Sequence, residues 1–191
     1  LYVLERGLPK ASIKFFNANG EWKEEELTQG NLLYIYMVNK MNDGQMKLRQ
    51  MGITDENVKA IKKALEPRFI QLADWVQEEF LSGKRDKYNE VHKRLFGTSM
   101  AAIENYFPLR ILGCVIKEEV DLSNPDSDSL PSAMTGAIIK RTVNRKQLDI
   151  TGADAFSIVI EHIQEMEHWA AYAELNRDLG TLLSYKRFQN Q

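Results

Sequence analysis

Apolar residues recur along much of this chain at intervals of three and four positions, the spacing that places them on one face of an α-helix. The most regular stripe lies near the end of the sequence, at Phe156, Val159, Ile163, Met166, Ala170 and Ala173. Alternating steps of three and four are typical of a helix packed lengthwise against another helix. Thr151, with Asp154 three residues later, is expected to cap its beginning, and leucines extend the pattern toward residue 188.

A second long pattern predicts a helix over about residues 67–96. Pro67 suits the first helical position, where its missing N–H costs nothing. Extended at about 3.6 residues per turn, the apolar positions continue across Gly83 to Val91. Gly83 is therefore expected on the packing face, at a close helix crossing or a simple break, with a hinge as the alternative.

Shorter patterns predict helices ahead of this one. Thr28 is a suitable N-cap for a helix over about 29–42, although the apolar run at 32–38 is equally consistent with a strand. A short helix over 45–51 should end at Gly52, because glycine favours the position after a helix.

Two more helical signals flank the long pattern. Thr54 is expected to cap a helix whose first turn carries Asp55 and Glu56, where the helix dipole favours acids. One or two further helical turns are predicted at 98–104.

Strand signals are few. Residues 12–27 predict a hairpin with a turn at Asn17–Gly20, although the three glutamates at 24–26 are poor strand formers. The β element is expected in this hairpin, in short strands at 106–116 and 137–143, or in both. The expected fold class is therefore mainly α: a multi-helix, bundle-like domain with a small β element.

The order of these signals predicts four parts. They are an N-terminal extension or hairpin at 1–27, a helical domain at 28–120, a loop at 121–133, and a strand with C-terminal helices at 134–191. The loop is predicted because that stretch holds two prolines and few apolar residues. The last part is expected to pack on the same core as the helical domain.

Composition narrows the functional classes. A net charge of -2 lacks the basic excess of a dedicated nucleic-acid binder. The single cysteine, Cys114, excludes an intramolecular disulfide and favours a reducing compartment. The most apolar run, Leu32–Val38, is far shorter than the ~20 residues that a membrane span needs. We expect an intracellular segment of a longer protein, located in the cytoplasm.

One group of residues has the spacing of a metal site. Glu165 and His168 match the Glu-x-x-His pair of helical di-iron bundles, and Glu161 lies one turn earlier. Such a site needs a second pair, which the sequence does not offer. A metal-dependent enzyme fragment using these residues, together with His92, is the alternative to a solvated polar helix face. No catalytic residue and no cofactor are predicted.

One basic cluster could contact phosphates. It consists of Lys140, Arg141, Arg145 and Lys146. No aromatic residues are interleaved with it, so the stacking part of single-strand binding is missing. An edge strand protected by basic side chains explains the cluster equally well, and nucleic acid is not an expected partner.

The last helix is apolar on more than one side. Beside the regular stripe lie Ile158, Trp169 and Tyr172. A helix that is apolar on several sides must bury several sides. These three residues are predicted to contact a helical partner, another copy of the chain or flanking domains of the parent chain; interior core is the alternative.

Two stretches carry a resemblance to known proteins. They are Leu32–Met37 followed by Lys47–Thr54, and Tyr88–Val91 with Leu95–Thr98 followed by Glu104–Leu109. Over about residues 28–110 the chain resembles a helical segment of large polyvalent proteins, which are very large multidomain proteins encoded by phages and integrated mobile elements. The resemblance implies a spacer, scaffold or interaction region between enzymatic modules, and it brings no catalytic residues. The expected function is a non-catalytic structural or interaction module.

Overall fold

The computed structural model describes residues 10–17, 20–110, 148–152 and 154–184. Within these residues the chain is mainly helical with one two-stranded antiparallel sheet, which confirms the predicted fold class. In chain order the elements are β1 (Ala11–Phe16), β2 (Trp22–Leu27), α1 (Gln29–Asn39), α2 (Asn42–Gln50), α3 (Asp55–Ala64), α4 (Pro67–Trp75), a π-helical segment (Val76–Phe80), α5 (Leu81–Phe96) and α6 (Ala155–Ser184).

The predicted hairpin forms because its residues separate onto two faces. Ile13 and Leu27 lie on the inner face and are buried in the core. On the outer face, Glu24 pairs with Lys14 across the strands, with 3.3 Å between carboxylate oxygen and Nζ. Cross-strand pairs of opposite charge stabilise a sheet. The glutamate-rich segment can therefore form a strand despite its low propensity.

α1 is the centre of the core. Residues 29–38 are all buried, and the hairpin, α2, α3, α4 and α6 pack around them. Thr28 caps the helix as predicted, in a reciprocal capping box with Asn31. The alternative of a strand over 32–38 is wrong, since an apolar run this short becomes helical when it is capped and covered on every side.

The helix predicted over 67–96 is continuous, but the segment Val76–Phe80 is π-helical. A π turn holds one residue more than an α turn, so it changes which residues face the core after it. Leu81 and Tyr88 are buried, whereas Gly83 is exposed and a Cβ added to it meets no atom within 4 Å. The predicted position of Gly83 on the packing face is therefore wrong.

The chain after α5 folds back along that helix. Gly97 ends α5 in the left-handed conformation, with φ of +69°. The Asn89 side chain then accepts a hydrogen bond from the backbone N–H of Met100 at 2.8 Å. The one or two helical turns predicted at 98–104 are therefore wrong, because these contacts hold the segment in an irregular path.

The π turn and the segment after α5 meet in the core. Gln77 is buried, and its side-chain nitrogen donates to the carbonyl oxygens of Met37 at 3.0 Å and Asn105 at 2.9 Å. Phe107 is fully buried against Tyr34, with ring centroids 5.8 Å apart. The long helix is thereby fixed to α1.

α6 begins at Ala155, four residues later than Thr151. Asp154 is the capping residue, because its carboxylate accepts a hydrogen bond from the backbone N–H of Ser157 at 2.9 Å. As predicted, α6 packs on another helix: its inner face forms a cluster with Tyr88 and Val91 of α5.

The ends of one long stretch of chain meet on the body. The backbone N–H of Asp149 donates to the carbonyl oxygen of Arg110 at 3.0 Å. Several predictions fall between these residues, outside the described part of the chain. They are the remainder of the strand at 106–116, the loop at 121–133, the strand at 137–143, Cys114 and the basic cluster of Lys140, Arg141, Arg145 and Lys146.

Candidate interaction surface

α6 carries apolar residues on two faces. Its inner face packs on the rest of the chain, and its buried members are Ala155, Ile158, Val159, Met166, Trp169 and Ala173. At about 100° per residue, a second stripe lies on a different side of the helix. Its positions alternate by four and three: Glu161, Glu165, His168, Tyr172, Leu175, Leu179 and Leu182. This second stripe is polar in its first half and apolar in its second.

We term the apolar half of this stripe, with the adjacent Leu183, the leucine seam. It comprises Tyr172, Leu175, Leu179, Leu182 and Leu183, each between 47% and 67% exposed. Single exposed leucines are ordinary on protein surfaces, but five neighbouring exposed large apolar side chains are not. A contiguous apolar patch of this kind is typical of a surface that contacts another protein.

The last described turns of α6 are exposed on both faces because α6 continues beyond the helix that covers its inner face. α5 ends at Phe96, and near that end Arg94 forms an ion pair with Glu174, with 3.5 Å between Nε and the carboxylate oxygen. After Ala173, the described side chains of α6 are exposed. The final turns therefore extend past the body and present their apolar residues to solvent.

The structure corrects the predicted interface residues. Ile158 and Trp169 are 5% and 6% exposed, so both belong to the core of this chain. Only Tyr172 is exposed, and its ring lies against His168 with centroids 4.8 Å apart. The candidate surface therefore shifts to Tyr172 and the leucines after it. Their spacing is visible in the sequence, but the sequence does not show which stripe of α6 is covered.

The three candidate metal ligands form the polar half of the exposed stripe. Glu161 lies 3.5 Å from a guanidinium nitrogen of Arg110, and His168 contacts Tyr172. Within the described ranges, no group of three His, Cys, Asp or Glu side chains could hold a metal ion. The described part of the structure therefore places no second acidic cluster beside these three residues.

The histidines at 92 and 162 each contact a residue outside their own helix. A ring nitrogen of His92 lies 2.8 Å from the carbonyl oxygen of Thr98, and its ring packs on Phe96. His162 lies beside Tyr106, with 3.5 Å between its Nε2 and the phenol oxygen. The His92 contact holds the turn after α5, which is a structural role.

An ion-pair network joins α5 to α6. The Glu167 carboxylate accepts hydrogen bonds from Lys84 and Lys87, both at 2.6 Å, and from the Tyr88 hydroxyl at 3.1 Å. The bonds from the two lysines lower the pKa of Glu167 to about 2. Burial, followed by the bond to Glu167, raises the pKa of Tyr88. This network fixes the helix whose end carries the leucine seam.

A second network joins α1 to the long helix. Lys40 contacts Asp74 and Glu78, each at 2.8 Å, and the Tyr36 hydroxyl donates to Asp74 at 2.9 Å. Burial and then the Asp74 bond raise the pKa of Tyr36 to about 12. Burial lowers the pKa of Lys40, but its bonds to the two acids outweigh this effect and raise the pKa overall.

The shifted pKa values argue for structural roles in both networks. A general acid or base works best with a pKa near the pH of the reaction. The pKa values of Tyr36, Lys40, Tyr88 and Glu167 all move away from neutrality. These four groups therefore keep one charge state near pH 7 and stabilise helix contacts.

An open depression lies between the hairpin and the start of α3. It is lined by Lys14, Trp22, Lys23, Glu24, Gly52, Thr54 and Asn57. Its polar groups already pair with each other or with neighbours: Thr54 with Asn57, Lys14 with Glu24, and Lys23 with Glu25. Little capacity for binding a polar ligand remains there.

No protein-family model, curated protein or solved structure matches this chain. None of the helices among the described residues combines the length and the apolar character needed to span a membrane.

Proposed function

We propose that this chain is a non-catalytic structural and interaction module whose last helix docks another helix through the leucine seam. The observation that supports this proposal is that α6 is covered on one face up to Ala173, while the leucine seam exposes five large apolar side chains. A folded chain gains nothing from leaving these residues in water, whereas a partner can bury them.

The spacing of the seam specifies the kind of partner. Tyr172, Leu175, Leu179 and Leu182 follow steps of three, four and three. This is the heptad spacing at which side chains of one helix insert between those of another. A helical partner therefore fits the seam better than an extended peptide, which would need a sheet edge or a row of pockets.

The resemblance to large polyvalent proteins supports a setting for this module. In such a parent protein, from a phage or mobile element, the segment would lie between enzymatic domains, in the cytoplasm or with the virion. Its partners would then be flanking domains of the parent chain, a separate helical protein or another copy of itself.

Paired charge substitutions on α6 test the proposal. Leu179→Glu places a charge in the seam, and Thr181→Glu places the same charge on the other side of the same exposed turn. We expect both variants to unfold in urea at the wild-type concentration, because neither residue contributes to the core. We expect Leu179→Glu, but not Thr181→Glu, to reduce the fluorescence of the apolar dye anilinonaphthalene sulfonate bound to the folded protein.

A core substitution calibrates the experiment. Met166 is 2% exposed beneath α5, so Met166→Ala should cost about 2–5 kcal/mol of unfolding free energy. If Leu179→Glu costs as much as Met166→Ala, the seam belongs to the fold and the proposal is wrong.

A further inference from the structure

We infer that the partner of the leucine seam is a second copy of this chain, bound antiparallel through the same seam. This inference rests on the proposed function, and it adds the identity and the orientation of the occupant. It depends on the arrangement of residues along the exposed stripe of α6.

The seam has the same spacing in both directions. Its steps from Tyr172 to Leu182 are three, four and three, a palindrome. When two copies lie antiparallel about a twofold axis at the level of Arg177, Tyr172 faces Leu182 of the other copy and Leu175 faces its Leu179. A twofold dimer requires one patch that is complementary to itself. These four positions meet this requirement, and Leu183 lies beside them.

The polar half of the stripe selects the antiparallel orientation. Glu161 and Glu165 occupy the positions that continue the seam toward the start of α6, and they are exposed. In a parallel pair each glutamate would face its own copy, and like charges in a helix seam oppose association. In the antiparallel pair these glutamates lie beyond the overlap of the two seams. The dipoles of the two helices also point in opposite directions in the antiparallel pair, and this arrangement is attractive.

The described core of each chain leaves the seam uncovered in this arrangement. The core of each chain covers the inner face of α6 as far as Ala173, while the seam lies on another side and on the later turns. Antiparallel pairing places the two bodies at opposite ends of the paired helices. The overlap then involves mainly the turns that extend past each body.

The size of the seam predicts a weak dimer. Five side chains that are about half exposed offer on the order of 400 Å² per copy, roughly half of the area of a standard interface. We therefore expect a dissociation constant between about 10 µM and 1 mM. The chain should be a monomer when dilute and a dimer when concentrated.

Sedimentation equilibrium of the whole chain tests the association. We expect the wild type and Thr181→Glu to dimerise with the same constant, and Leu179→Glu to remain a monomer at every concentration. A wild type that stays monomeric up to about 1 mM overturns the second-copy inference. The proposed function then still stands if Leu179→Glu folds like the wild type, whereas an unfolded Leu179→Glu defeats both.

Spin labels test the orientation. In a Cys114→Ser background, Asn176→Cys and Gln164→Cys each introduce one label on an exposed position of α6. At 1.5 Å per residue, the antiparallel pair separates the two labels at 164 by about 40 Å along the axis, while those at 176 stay within about 20 Å. Short distances for both labels would mean a parallel pair and would overturn the inferred orientation.

Discussion

Replacing Gly44 by alanine offers the sharpest test of how the core is built. Gly44 is the third residue of α2, which crosses the last turn of α1. A Cβ at this position would collide with the carbonyl oxygen of Val38 and would lie 2.9 Å from that residue's carbonyl carbon and Cγ1. From helix propensity alone, Gly44→Ala should stabilise the protein by about 1 kcal/mol. The structure predicts the opposite sign.

The magnitude follows from the atoms involved. The closest obstructing atom, the carbonyl oxygen of Val38, belongs to the backbone of a buried helix, so it cannot move aside as a flexible side chain could. Restoring ordinary contact requires α1 and α2 to separate by roughly 1 Å, and overpacking of this kind costs about 1–3 kcal/mol. At the upper end of that range, after the gain in helix propensity, the net loss is about 2 kcal/mol. In a chain of this size, that loss lowers the melting temperature by about 4–8 °C.

Gly83→Ala is the matched control. Gly83 is also helical, but an added Cβ meets no atom within 4 Å. This variant should gain about 0.5–1 kcal/mol from propensity. Urea unfolding followed by helical circular dichroism measures both changes. If Gly44→Ala is as stable as Gly83→Ala, α2 does not approach Val38 as described and the reasoning fails.

Two further predictions concern the helix contacts. The folded-state pKa of Glu167 is lowered to about 2, so its ion pairs should stabilise the protein above pH 4.5 and lose that effect as the pH falls from about 4.5 to 2. Because this side chain is 36% exposed, we expect these ion pairs to contribute only about 1 kcal/mol to the free energy of unfolding. Glu167→Gln should abolish this part of the pH dependence when stability is measured in an acid titration. Phe107→Ala should cost about 3–5 kcal/mol because the ring is fully buried against Tyr34; a loss below 1 kcal/mol in urea unfolding would show that this segment is not part of the core.

Features that depend on neighbours within one turn were predictable from the sequence. Thr28 and Thr54 cap helices as expected, and Gly52 follows α2 with φ of +78°. Capping joins a side chain to a backbone group only three residues away, so its signal is local. Thr151 was predicted to cap α6, but Asp154, three residues later, is the residue that does so. Local signals alone do not decide between two nearby capping residues.

Features that depend on distant parts of the chain were not predictable. The π turn is fixed by Gln77, whose side chain reaches Met37 and Asn105, and no local pattern records those contacts. The covered face of α6 was not predictable either, because two stripes of this helix have similar spacing in the sequence. The burial of Trp169 and the exposure of Leu175 depend on where α5 ends, which is a property of the packed molecule.

The hydrogen bond between Asp149 and Arg110 brings together two points of the body that are distant in sequence. Helix α6 begins a few residues after this junction. Each doubling of the length of a closed loop costs only about 0.6 kcal/mol of closure entropy. We therefore expect the junction of Asp149 with Arg110 to tolerate a lengthened connection, such as an inserted domain, while the leucine seam stays in place on the far end of α6.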